Sequence, residues 1–168
     1  MLIPKKIINF LDKKGIKYER ICHRKVFTVH DKAATLRVKP NIIGKTLILK
    51  IDNELVMALV PGNKNLDKNK FKKSVNLYRK KQKLKPVKNL NFISERLMKS
   101  KFRGVKIGAV PPFGNLWGVP IFVDKSLLNL TKIIVNGGDY NWSIKITPPV
   151  LKKLTPDLIT GSFSKSKG

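Results

Sequence analysis

Two β-rich runs, IIGKTLILKI (42–51) and ELVMALV (54–60), meet across the dipeptide Asp52-Asn53, and this pairing restricts the fold more than any other feature. Both runs are dense in Ile, Leu and Val, and a two-residue Asp-Asn connection suits a tight hairpin turn. A sheet built around this hairpin is therefore expected. Along the first run Lys45, Leu47, Leu49 and Ile51 share one face, while Thr46, Ile48 and Lys50 share the other. If the first face points inward, Lys45 heads an apolar column and its ammonium lines a pocket or finds a partner. The alternative places it at the strand end, snorkelling to water.

Around the hairpin the pattern alternates irregularly between helix and strand. Residues 4–14 gather Ile7, Ile8, Phe10 and Leu11 on one side, with Gly15 placed to stop the helix. A strand is expected at 16–22, and Thr28 with Asp31 forms a capping-box-like start for a short helix ending at Arg37. Helices are expected at 66–75, 92–101 and 149–154, and strands at 104–110, 119–123, 132–136 and 142–147. RKKQKLKPVKN (79–89) reads as a basic, solvated connector with a strand inside it, and SFSKSKG as a frayed end. The expectation is one mixed α+β domain over residues 1–160, with a curled, barrel-like mixed sheet flanked by helices and a frayed tail at 161–168.

At 168 residues with 42% hydrophobic content, the chain has the size and apolar share of one folded domain. No apolar run approaches the roughly 18 residues that span a bilayer, and the N-terminus lacks a signal-peptide pattern, so no membrane role is expected. A lone cysteine, Cys22, precludes an internal disulfide and suits a reducing cytoplasm. One cysteine and two histidines do not make a soft-metal cluster, and no metal or cofactor is expected. The formal charge of +26 points to a polyanionic partner. Lysines outnumber arginines 30 to 6, which favours loose phosphate attraction over bidentate base reading, and compositional drift toward lysine accounts for part of the charge.

Several candidate sites fail on inspection. Gly44-Lys45-Thr46 is not a phosphate loop: the required upstream glycine is Lys39, and the segment continues as a strand. Asp52, Asp67 and Asp124 have no catalytic spacing and suit turns and helix starts, as does Glu54 beside the hairpin turn. Cys22-His23 lacks the rest of a nucleophilic triad, so Cys22 is expected as a small buried side chain. His30, in the first turn of a helix, lies on the surface unless a pocket opens beside it.

The most unusual stretch is KIGAVPPFGNLWGVP (106–120), uncharged after Lys106 in a lysine-rich chain. Gly108 and Gly114 permit unusual dihedrals, while Pro111 and Pro112 fix φ at two successive residues. Such a loop can hold N–H groups toward a ligand with little ordering cost, and Phe113 and Trp117 can stack on a base. Equally, it can be a rigid turn whose aromatics cap the core. Gly137-Gly138 presents the same choice, between a hairpin turn and close backbone approach to a ligand.

GAVPPFGNLWGVPIFVD (108–124) resembles the signature loop of the YbaK/EbsC family, trans-editing relatives of the prolyl-tRNA synthetase editing domain. Further matches follow in order: GIKYERICH (15–23), FTVHDKAA (27–34), IGKTLILKID (43–52), MALVPGNKNLD (57–67) and IIVNGGDYNWSIKI (133–146). The resemblance implies a barrel-like editing domain that hydrolyses the ester of mischarged aminoacyl-tRNA, carrying Cys, Ala or a similar small residue. It implies the tRNA acceptor end as partner, with an aminoacyl-tRNA synthetase as a second. Lys45 falls on the family's essential lysine. Gly108 to Pro112 matches its GxxxP loop, extended here through Phe113 and Gly114, and Gly137 and Gly138 match its second substrate-facing loop. Ala109, Val110, Pro111, Thr28, His30, Thr46 and Tyr140 complete the implied substrate-binding set. Close relatives usually carry a histidine shortly after the second of these glycines, where this chain has Asp139-Tyr140. The mechanism expected from the residues is direct attack by water, with N–H groups of residues 108–114 holding the oxyanion and Lys45 protonated. The competing reading is a protein that captures aminoacyl-tRNA or RNA without hydrolysing it.

Overall fold

The computed structural model describes residues 4–167. The chain opens with α1 (Lys5–Lys13), β1 (Glu19–Cys22) and α2 (Val29–Leu36), then forms the hairpin of β2 (Gly44–Ile51) and β3 (Glu54–Pro61). β4 (Lys64–Leu66), α3 (Lys68–Lys81), β5 (Leu90–Phe92) and α4 (Glu95–Lys101) follow. The second half comprises β6 (Ile121–Asp124), α5 (Lys125–Leu128), β7 (Ile133–Asn136), β8 (Trp142–Ile146), α6 (Pro148–Leu154), β9 (Ile159–Gly161) and β10 (Ser164–Ser166).

The hairpin pairs in register from Gly44–Pro61 to Ile51–Glu54, with Asp52 at φ 52° making the turn. It forms the middle of a five-stranded sheet ordered β5-β2-β3-β6-β9, in which β3, β6 and β9 run parallel. A second sheet, β1-β8-β7, is antiparallel, and β10 pairs with β4. A single parallel bridge between Ile43 and Ile134 joins the start of β2 to β7. The sheets thus curl toward one another without closing.

Both faces of the hairpin are buried, as its nearly continuous apolar runs require. Ile48, Met57 and Leu59 pack with Ile7 and Leu11 of α1, Phe102, Phe113, Trp142 and Ile144. On the other face Leu49, Ile51, Val56 and Val60 pack with Phe71 and Val75 of α3, Phe122 and Phe163. Phe71 meets Phe122 and Phe163 edge-on, at centroid distances of 5.3 and 5.0 Å.

Three expectations need correction. Residues 104–110 form turns rather than a strand, because Gly104 and Gly108 sit at φ 88° and 80°, outside extended geometry. No strand forms within 79–89; α3 continues to Lys81 because Tyr78 still packs on the second core, and β5 starts only at Leu90. The Asp52 carboxylate holds the connector by accepting from the Lys88 and Asn89 N–H groups.

Residues 161–167 pack into the fold and are not frayed. Phe163 is fully buried, and Ser164–Ser166 pairs with Lys64–Leu66. The anchor is Asp124, itself buried, whose Oδ2 accepts from the N–H groups of Phe163 (2.9 Å) and Ser164 (3.0 Å) while Oδ1 caps α5 through Ser126. Burial pushes this carboxyl up, but the hydrogen bonds from Ser126, Phe163 and Ser164 outweigh it and leave the pKa below the ordinary carboxylate range.

Candidate functional site

Where β2 leaves the five-stranded sheet to bridge β7, a cavity of about 390 Å³ opens between α2, the start of β2, the 106–110 turns and the end of β7. Thr28, His30, Lys45, Thr46, Gly108, Ala109 and Tyr140 all line it, so seven of the residues singled out from the sequence converge there. The volume lies in the range of small-molecule sites.

Lys45 is half-buried, and its Nζ donates to the Lys64 carbonyl at 3.1 Å. Burial, and then the charge of Lys167, lower its pKa from the ordinary lysine value. The backbone carbonyl opposes that shift by favouring the ammonium. Beside it, the Thr46 hydroxyl is buried with no hydrogen-bond partner among the described residues. Being shut off from solvent, that hydroxyl does not face the cavity, which Thr46 lines with its other atoms. Thr28 lines the cavity while its Oγ1 caps α2 by accepting from the Asp31 N–H at 3.1 Å, and His30 stands at the rim.

The loop enters only through its first residues. Gly108 and Ala109 face the cavity, whereas Val110, Pro111, Pro112, Phe113 and Gly114 are buried beneath it. Phe113 is buried and packs against Phe10 at 5.5 Å, and the partly buried Trp117 packs edge-on against Phe102 at 5.1 Å; both rings serve the core and neither lines the cavity. The Ala109 N–H is already committed to the Lys106 carbonyl, and prolines 111 and 112 have none. Among the described residues the Gly108 and Val110 N–H groups have no protein acceptor.

Gly137 and Gly138 are also set behind the cavity wall. A Cβ on Gly137 would lie 2.5 Å from the Trp142 ring, so this glycine exists to let the tryptophan in. Gly138, at φ 98°, donates to the Ala109 carbonyl and accepts from the Lys106 N–H, both at 2.8 Å. These glycines brace the loop instead of facing the cavity.

The structure adds residues that the sequence did not reveal. Lys32, one helical turn after Thr28, is buried and lines the cavity. Its Nζ donates to Asn136 Oδ1 at 2.9 Å, and Asn136 Nδ2 reaches the carbonyls of Gly108 and Val110, each at 3.3 Å. Desolvation lowers the Lys32 pKa to about 8. The available signal is the Thr28–Lys32 spacing of four, which places both on one helix face. Lys167 also lines the cavity, brought there by the tail that Asp124 anchors. Cys22 is exposed, contrary to expectation, and His23 Nε2 contacts Ser143 Oγ at 3.0 Å away from the cavity lining.

A family model for the aminoacyl-tRNA editing domain matches residues 23–154 and so spans the whole cavity apart from Lys167. The chain belongs to the aminoacyl-tRNA editing domain family. Proline–tRNA ligases of Thermoanaerobacter sp. (strain X514) and Thermoanaerobacter pseudethanolicus are each 26% identical to it over 127 residues. The match covers 76% of this chain and 21% of each ligase, so the chain spans about a fifth of the length of these relatives. Among solved structures, a candidate trans-editing enzyme for prolyl tRNA synthetase superposes with a TM-score of 0.82 at 20% identity, covering 99% of both chains. A hypothetical protein superposes with a TM-score of 0.80 at 22% identity, over 95% of this editing domain and 99% of its own chain. These superpositions establish the shared fold.

Proposed function

We propose that this editing domain is a deacylase that acts in trans on mischarged tRNA, hydrolysing the ester between a small amino acid, such as Cys or Ala, and the terminal ribose. The observation that carries the reading is the convergence of the Lys45 side chain and the Gly108–Ala109 turn on one cavity, with Thr46 in its wall. The Lys45 ammonium holds the ester and ribose oxygens. Water attacks the carbonyl carbon, and the negative charge that develops on its oxygen is met by the uncommitted N–H group of Gly108, at the point where the loop enters the cavity. The bond to the ribose oxygen then breaks, releasing the amino acid and free tRNA. Lys45 acts as a cation: contact with the Lys64 carbonyl favours its protonated form, which suits a donor better than a base.

The chain's +26 charge draws in the acceptor stem without reading sequence. The test is to incubate the protein with Cys-, Ala- and Ser-charged tRNAs and follow loss of the ester. Turnover is expected, and Lys45→Ala should abolish it while tRNA binding is largely retained. If every charged tRNA binds and survives, the protein captures aminoacyl-tRNA without hydrolysis and the enzymatic reading fails.

A further inference from the structure

With Phe113 and Trp117 packed on the core away from the cavity, the cavity still has one aromatic pair in its lining. Phe27 is 69% exposed, the most exposed of the large hydrophobic residues among those described. Its ring meets that of Tyr140 at a centroid distance of 4.7 Å, and the Tyr140 hydroxyl is fastened to the Ile107 carbonyl at 2.6 Å. Phe27 is thus held from behind while its outer face stays open to water.

The pair also forms a ridge between two hollows. On one side lies the cavity that holds Lys45; on the other, a second hollow of about 450 Å³ shares Phe27 and Tyr140 as lining. Lys99, Lys106 and Glu95 line the second hollow, so its charge is net positive. An exposed aromatic face between a cavity and a cationic groove matches how proteins grip single-stranded nucleic acid: bases stack on the ring and phosphates follow the cations.

We propose that Phe27 is the stacking platform for the 3′-terminal base of an RNA, and that Lys99 and Lys106 take the phosphate on the 5′ side of that nucleotide. The inference rests on the first cavity being the ester site, since a base on Phe27 leaves its ribose facing that cavity. Positive charge alone would attract any polyanion; the exposed ring beside it selects a strand with an unpaired base. Stacking is indifferent to base identity, so this interaction supplies affinity and register.

The test uses a short, uncharged single-stranded RNA with 2-aminopurine as its 3′-terminal base, titrated at physiological salt and followed by fluorescence quenching. Phe27→Ala should weaken binding at least about fivefold, the lower end of what one stacked base contributes, and Phe27→Trp should preserve it. Lys99→Gln with Lys106→Gln should lower the salt slope by about 0.7 for each phosphate that is no longer neutralised. Because Phe27 is exposed, matched thermal unfolding of each variant checks that the fold is kept. The proposal is overturned if the wild-type protein does not bind, if Phe27→Ala binds as tightly, or if an oligonucleotide lacking the terminal base binds equally well. Since this RNA carries no ester, stacking by a protein that leaves charged tRNA intact would refute only the deacylase reading. Hydrolysis with unimpaired Phe27→Ala binding would refute only this one.

Discussion

Lys32 and Asn136 are joined by a hydrogen bond of 2.9 Å whose direction fixes a third element. An ammonium only donates, so the Asn136 carbonyl oxygen must face Lys32, and its NH₂ group must face the Gly108 and Val110 carbonyls, where it is found at 3.3 Å. One side-chain amide thereby ties α2 and β7 to the loop that carries the candidate oxyanion donor. No other side chain of this size offers an acceptor on one side and two donors on the other.

Asn136→Asp tests this directly. The carboxylate keeps Lys32 company and pulls its pKa back up, but it turns a second acceptor toward two carbonyls. The expected result is a folded protein whose ester hydrolysis falls about tenfold or more, as two hydrogen bonds of about 1 kcal/mol each are removed from the loop. Single-turnover deacylation measures the loss, and a pH titration of the Lys32 ammonium by NMR reads the accompanying upward shift. Unchanged hydrolysis would show that the loop holds its shape without Asn136.

Lys32 itself costs stability at neutral pH, because its charge is buried with one hydrogen bond to a neutral amide. Its folded pKa of about 8 lies below the ordinary lysine value, so between these two pH values the unfolded chain binds more protons. The folded state therefore gains stability from this group as pH rises through that window, and is penalised most below it. Lys32→Met is expected to be more stable than wild type at pH 7 by about 1–2 kcal/mol, with the advantage shrinking between pH 8 and pH 10. Urea unfolding across that range measures it, and an advantage independent of pH would contradict a buried ammonium. Ester hydrolysis by the same variant should fall, since Asn136 loses its orienting donor.

Much of this arrangement is written locally in the sequence. The hairpin is legible because Ile, Leu and Val crowd both runs and Asp52-Asn53 admits a tight turn. Thr28 is legible because a cap is a relation between residues three apart. Lys32 is not: in VHDKAATL a lysine reads as a solvated helix position, and only the packing of α2 against Asn136, 104 residues away, buries it. The tail misleads for the same reason. SFSKSKG is polar and short, and the group that anchors its Phe163 and Ser164, Asp124, lies about 40 residues earlier. Gly104 and Gly108 mislead in another way: the apolar residues around them suggest a strand, but each adopts a backbone conformation that no strand uses.

Asp124 gives a prediction about stability alone. Asp124→Ala strands the Phe163 and Ser164 N–H groups, each costing about 1–3 kcal/mol when left unpaired. Phe163 and β10 should loosen, detectable as faster amide exchange at residues 163–166 and a lower melting temperature. The wild-type carboxyl also makes the tail acid-sensitive. Its folded pKa is depressed, so its contribution is present above the ordinary carboxylate pKa and is lost as pH falls through the lower, folded value. Asp124→Ala should lack that acid-dependent loss. Lys167, carried into the cavity by this tail, should withdraw with it, and hydrolysis should fall in parallel with the exchange.

Gly108 and Gly137 separate function from folding within the same region. A Cβ on Gly108 meets nothing within 4 Å, so Gly108→Ala suffers only from its φ of 80°, about 1 kcal/mol of local strain that the exposed turn can relieve by shifting. The melting temperature should change little, while the displaced turn misaims the Gly108 N–H and lowers kcat more than it raises KM. A Cβ on Gly137 instead drives 2.5 Å into buried Trp142, and overpacking of that kind costs about 1–3 kcal/mol. Gly137→Ala should therefore lower the melting temperature first and affect hydrolysis only as far as the fold loosens. Thermal unfolding and steady-state deacylation of the two variants, measured side by side, distinguish these outcomes; equal effects on both quantities in both variants would mean that the turn at Gly108 is scaffold and not part of the site.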